Sequence, residues 1–138
     1  MSEREAAVRL WFQMWLTGEG DGILDLFTPD AVYIESWGPE YHGAARIRHW
    51  FCEWNTRGRV LRWEIRRFWH QGDRTAVEWF FDAAMADGTR TAFEGVSLID
   101  WDGARIARLQ EFGCNIDRYD PYEAGPVPQF RDEAARWF

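Results

Sequence analysis

Glu35 lies in Tyr33-Ile-Glu-Ser-Trp37, a carboxylate between two aromatic rings at strand spacing. Strict alternation puts Tyr33, Glu35 and Trp37 on one face and Val32, Ile34 and Ser36 on the other. Both faces carry large apolar groups, so the segment reads as buried. A buried carboxylate must find a partner or keep its proton at higher pH than usual. The second case makes it a general base or acid, which contributes about 10²–10⁴-fold to a rate when positioned on a substrate. The first case makes it structural, paired with an arginine such as Arg46 or bonded to a loop amide.

Other titratable groups are candidates on weaker grounds. His42 precedes a helical segment, where it could cap that helix or reach into the mouth of a pocket. His49 falls off the apolar stripe of the same helix, and His70 stands alone. Glu78 and Asp82 alternate with Trp79 and Phe81, so one of these two sets faces inward, and alternation leaves open which. Asp82 is retained as a candidate binding residue on the inward reading, and Glu94 beside Phe93 poses the same question. No His-x-x-x-His or comparable ligand spacing occurs, and Cys52 and Cys114 belong to no Cys/His cluster, so neither metal nor cofactor is expected.

The elements that must position these groups follow from periodicity. Ser2-x-x-Glu5 has capping-box spacing and precedes Val8, Trp11, Phe12, Trp15 and Leu16, which predicts a helix ending at Gly18. A short helix over 22–27 follows, with Asp21 as its cap and Pro29 as its stop. The segment around Glu35 is the first strand, broken at Gly38-Pro39. Gly43 leads into a third helix carrying Ile47, Trp50, Phe51 and Trp54 on one side. Strand alternation then runs through Leu61, Trp63 and Ile65, and Phe68 falls out of phase, which predicts a bulge. Strands over 75–86, 89–101 and 105–114 are joined by Asp87-Gly88 and Asp102-Gly103 turns. The order is α+β: a strongly bent antiparallel sheet, with N-terminal helices closing its concave side into a cone. Residues 1–115 form that domain, and 116–138 form a Pro-rich tail with a short helix over 129–138, whose Trp137 and Phe138 could dock on the body or on a neighbour.

Composition narrows the function. A chain of 138 residues holds one core. Its net charge of −7 argues against binding a phosphate backbone, and no nucleic-acid partner is expected. The arginines at 57, 59, 62, 66 and 67 interleave with Glu64 and read as a solvated strand face. No run reaches the roughly 18 apolar residues of a membrane span, so the expected setting is cytoplasmic. Ten Trp and ten Phe either fill a thick core or line a pocket.

Several motifs together resemble a known superfamily. They are Val8-Arg-Leu-Trp-Phe12, Gly20-Asp-Gly-Ile-Leu-Asp-Leu-Phe27, Pro29-Asp-Ala-Val32, Tyr41-His-Gly43, Phe93-Glu-Gly-Val-Ser-Leu-Ile-Asp-Trp-Asp-Gly103 and Ile106-Ala-Arg-Leu-Gln-Glu-Phe112. Over residues 8–115 the chain resembles the nuclear transport factor two-like superfamily, within it the SnoaL-like polyketide cyclases and ketosteroid isomerases. The resemblance implies a cone-shaped pocket and puts the isomerase-type general base on Glu35. The isomerase oxyanion positions fall on Trp11 and Ser97, and the cyclase acid falls on Cys114, so neither reaction carries over intact. The family's last strand turns alternate residues inward; with Leu109 inside, Glu111 becomes a second carboxylate opposite Glu35. Its alternative is an exposed residue facing a cross-strand arginine.

Trp11 and Trp15 on the first helix, Tyr33, Trp37, and Trp50 and Trp54 on the third helix can converge on the cone, which suits an apolar or aromatic small molecule. Two readings stay open. One is a cofactor-free isomerase, cyclase or dehydratase working through Glu35, with Glu111 and His42 as further candidates. The other is a non-catalytic ligand-binding or dimerisation module. Apolar residues left for the convex sheet face imply a homodimer.

Overall fold

The Ser2 hydroxyl accepts the Glu5 N–H at 3.1 Å, capping helix α1 (Glu3–Thr17) as its spacing predicts. Gly18, at φ 77°, ends it in the left-handed conformation that glycine adopts at least cost. Val8, Trp11, Phe12, Met14 and Trp15 are the buried stripe. In the computed structural model, residues 2–131 are described. Helix α2 (Ile23–Leu26) is shorter than expected, and its cap is Gly22 with no side-chain bond, so Asp21 does not cap it. Pro29 lies inside strand β1 (Phe27–Ile34), between Phe27 and Val32, where the pairing shifts register. An irregular stretch tolerates a residue with no N–H to give.

Strand β2 (Glu40–His42) returns antiparallel to β1, and helix α3 (Ala44–Trp54) buries Ile47 and Phe51 beneath it. Strands β3 (Gly58–Gln71), β4 (Arg74–Met85), β5 (Arg90–Asp102) and β6 (Arg105–Asn115) complete one six-stranded sheet in the order β2-β1-β6-β5-β4-β3. The sheet curls without closing. It is mixed, not wholly antiparallel, because β1 runs parallel to β6. The phase change before Phe68 is a register shift between Ile65 and Arg67, and a second shift follows Val60. Each adds twist to a long strand and helps it wrap the helices.

The concave face and the helices share one core. Phe12 stacks on Trp63 with ring centroids 3.9 Å apart, and Trp11 meets Phe27 edge-on at 4.9 Å. Gly95 permits the closest approach in the bend. A Cβ there would stand 2.4 Å from the Phe112 carbonyl oxygen and 2.6 Å from the Trp79 ring. Beyond β6, residues 129–131 are not helical; Trp137, Phe138 and the rest of the expected terminal helix lie outside the described residues. Among those described, no helix is long and apolar enough to cross a membrane.

Candidate functional site

Glu35 comes directly after β1, yet its N–H still bonds the Pro39 carbonyl at 2.9 Å, so the strand's alternation reaches it. Tyr41 pairs with Tyr33 across the β1–β2 ladder, and its hydroxyl donates to Glu35 Oε2 at 2.7 Å. Glu111, on β6, has the matching arrangement. The fully buried Tyr33 donates to Glu111 Oε2 at 2.5 Å and accepts the Trp11 indole N–H at 3.4 Å. Each carboxyl group thus accepts a hydrogen bond from one phenol on its Oε2.

Burial dominates the protonation of both acids. It lifts Glu111 from an ordinary 4.5 to about 7; the charge of Glu35 adds to that, while bonds from Tyr33 and the Ser36 backbone pull the other way. Burial also raises Glu35, against hydrogen bonds from Tyr41 and Trp37. Burial and then the neighbouring Glu111 charge push Tyr33 well above the phenol range, and burial and the Glu35 bond raise Tyr41. The phenols therefore remain donors, and the two carboxyl groups separate into a stronger and a weaker acid.

Both acids open on a pocket of ≈ 200 Å³. Trp15 comes from α1, Trp50 and Trp54 from α3, Trp63 from β3, and Trp79 and Phe81 from β4. Ser36 and Trp37 form part of its lip, and among the described residues no Lys, Arg or His lines it. A cavity of about 150 Å³ accommodates benzene, so this one suits a compact ligand. An outer groove shares Glu35, Trp37, Trp50 and Trp54 with it and adds Tyr41, Arg46, His49 and Arg57. Among the described residues, no group of three or more His, Cys, Asp or Glu is placed to hold a metal ion.

The SnoaL-like domain family matches residues 8–109, most of the chain. The chain belongs to the SnoaL-like family. Solved structures with this fold include an epoxide hydrolase from M. tuberculosis, 17% identical, at a TM-score of 0.73 over 81% of this chain and 83% of that one. A protein of ketosteroid isomerase-like fold from Catenulispora acidiphila, in complex with trimethylamine, is 20% identical (TM-score 0.67; 80% of this chain, 85% of that one). TerC, co-crystallised with polyporic acid, is also 20% identical (TM-score 0.67; 82% and 92%). Comparison with curated proteins finds no match.

In this SnoaL-like chain the candidate residues divide clearly. Glu35, Glu111, Trp15, Trp37, Trp50 and Trp54 line the pocket, with Trp37 78% exposed because a turn follows Glu35 and swings its ring to the lip. Trp11 and Tyr33 lie behind the pocket wall as the donor relay to Glu111. Ser97 faces inward but is fully buried, its hydroxyl accepting the Trp79 N–H at 2.9 Å. Asp82 is placed outside the pocket: Trp79 and Phe81 take the concave face of β4, and Asp82 holds Arg90 through two 3.1 Å bonds. Glu78 and Glu94 are likewise outward, paired with Arg66. His42 is exposed on β2, 2.8 Å from Glu40, and His70 bonds Thr75 and Glu5. Glu35 bonds Tyr41 in place of Arg46. Cys114 points to the convex side, three residues past the acid that points in.

Tyr41 and Trp63 belong to the site without having been singled out as part of it, and Trp79 with Phe81 proves to be the inward set of the two that alternation left open. Tyr41 was accessible from the sequence: folding the chain back at Gly38-Pro39 sets it beside the first strand.

Proposed function

We propose that this chain is a cofactor-independent enzyme that moves a proton on an apolar or aromatic small molecule, with Glu35 as base and Glu111 as acid. The observation behind this reading is the pair of inward carboxyl groups, each hydrogen-bonded to a phenol and each with its pKa raised by burial. Environments that push two acids apart give one the role of acceptor and the other that of donor. Glu35 takes a proton from a carbon next to a carbonyl; the C–H pair forms the enolate double bond and the carbonyl π pair moves onto oxygen. The Glu111 carboxyl hydrogen-bonds or protonates that oxygen. Return of the proton at another carbon isomerises the substrate; attack of the enolate carbon on a second carbonyl cyclises it, and departure of a β-hydroxyl as water, carrying the proton that Glu35 took, dehydrates it. Relatives of this fold include an epoxide hydrolase, so the fold by itself does not choose among such reactions. Incubating aryl ketones with the protein in D₂O tests the reading. Exchange of the α-hydrogens above the buffer rate supports it, and buffer-rate exchange for ketones that bind overturns it.

A second reading, a non-catalytic binding module, is favoured by one feature. The indole of Trp11 and the hydroxyl of Ser97, at the oxyanion positions the family resemblance implies, already serve Tyr33 and Trp79. Ligands that bind without any exchange would select it. We also propose that the convex face, where Trp69, Leu98 and Phe112 stand 47–49% exposed, pairs with a second copy. Light scattering should then give twice 16.4 kDa, and a monomer would exclude it.

A further inference from the structure

The pocket offers a ligand negative charge and π-faces, with few free donors. Six tryptophans line it, together with Phe81, Phe93 and two carboxyl groups. Among the described residues its walls carry no cationic side chain. Arg46, His49 and Arg57 line only the outer groove, and Arg57 is held there by two bonds to Glu53 at 2.7 and 2.8 Å. The wall indoles could in principle donate their N–H groups inward, which would favour a carbonyl or an anion. Four of the six do not offer theirs to a ligand: among the described residues the Trp15 and Trp63 nitrogens are buried without an acceptor, Trp79 donates to Ser97, and Trp37 donates to Glu35. Trp15 instead meets Trp54 edge-on at 5.3 Å, and Trp63 meets Phe81 edge-on at 5.4 Å.

Perpendicular rings around a small hollow present faces from several directions, and the face of an aromatic ring is its negative pole. With two acids in the same wall, that is the recognition chemistry of a shielded cation. We propose that the ligand of this pocket is a compact apolar body carrying an ammonium group, of which a methylated amine is the best-fitting form. The proposal takes from the functional reading only that this pocket is the ligand site. It adds the charge of the ligand, which that reading left open. A chain of net charge −7 also draws such a ligand toward it.

Three probes of one shape and different charge test the proposal on the intact protein: choline, its uncharged carbon isostere 3,3-dimethylbutan-1-ol, and the anion 3,3-dimethylbutanoate. Quenching of tryptophan fluorescence reads binding. At pH 8, above the Glu111 midpoint of about 7, choline should bind at least tenfold more tightly than either of the others, and Glu35→Gln and Glu111→Gln should each narrow that preference severalfold. Equal or tighter binding of the alcohol or the carboxylate, or no choline binding, overturns the proposal. So does a preference unchanged in both variants. The outcome is separable from the proton-transfer reading: a protein that prefers choline but exchanges no α-hydrogen loses the reaction and keeps the cation site.

Discussion

A Glu35→Gln variant is expected to lose about 10²–10⁴-fold in the rate of α-hydrogen exchange, the usual contribution of a positioned base, while folding normally. The substitution keeps the shape of the side chain and the bond from Tyr41, and it removes only the ability to accept a proton. Initial-rate kinetics in D₂O check this; a loss below tenfold would take the base role from Glu35. The same assignment sets a pH profile. Activity should rise as Glu35 ionises above its raised pKa, and fall again as Glu111 gives up its proton near pH 7. The alkaline limb should disappear in Glu111→Gln, which cannot ionise.

Replacing Glu111 by Gln is expected to stabilise the protein at pH 8 and to leave it nearly unchanged at pH 4. The unfolded chain releases this proton near the ordinary 4.5, and the folded chain keeps it until about 7. Between those values the folded state binds the extra proton, so its stability falls as pH rises and levels off above 7. A shift of this size corresponds to roughly 3 kcal/mol, which access to the pocket reduces to on the order of 2 kcal/mol. For a chain of this length that is about 5–10 °C in melting temperature. Thermal melts of both proteins across pH 4–8 measure the difference. A variant less stable than its parent at pH 8 would mean that Glu111 is a structural charge, not an acid held ready for chemistry.

Much of this site could be read from residue types and spacing, and the remainder fails for identifiable physical reasons. The capping box, the bulge before Phe68 and the inward turn of Glu35 are local features, fixed by a few neighbouring residues. Asp82 shows the limit of alternation: a period of two pairs Asp82 with Glu78 against Trp79 with Phe81, but only the curl of the whole sheet decides which pair is inside. Trp37 shares the phase of Tyr33 and Glu35, yet the turn closed by Gly38 N–H on the Glu35 carbonyl at 3.1 Å ends the alternation one step earlier. The Tyr33–Glu111 bond joins residues 78 apart in the chain, and it depends on β1 running parallel to β6. Long-range pairing of that kind leaves no local trace.

Two carboxyl groups with raised pKa values share one pocket, and carbon-13 NMR of side-chain-labelled glutamate observes them directly. Assigned through the two Gln variants, the Glu111 carboxyl should titrate near pH 7. That midpoint should drop in Glu35→Gln, which removes a neighbouring charge, and climb in Tyr33→Phe, which removes a bond to the ionised form. Titration of both acids near 4.5, unmoved by either change, would contradict the assignment of base and acid.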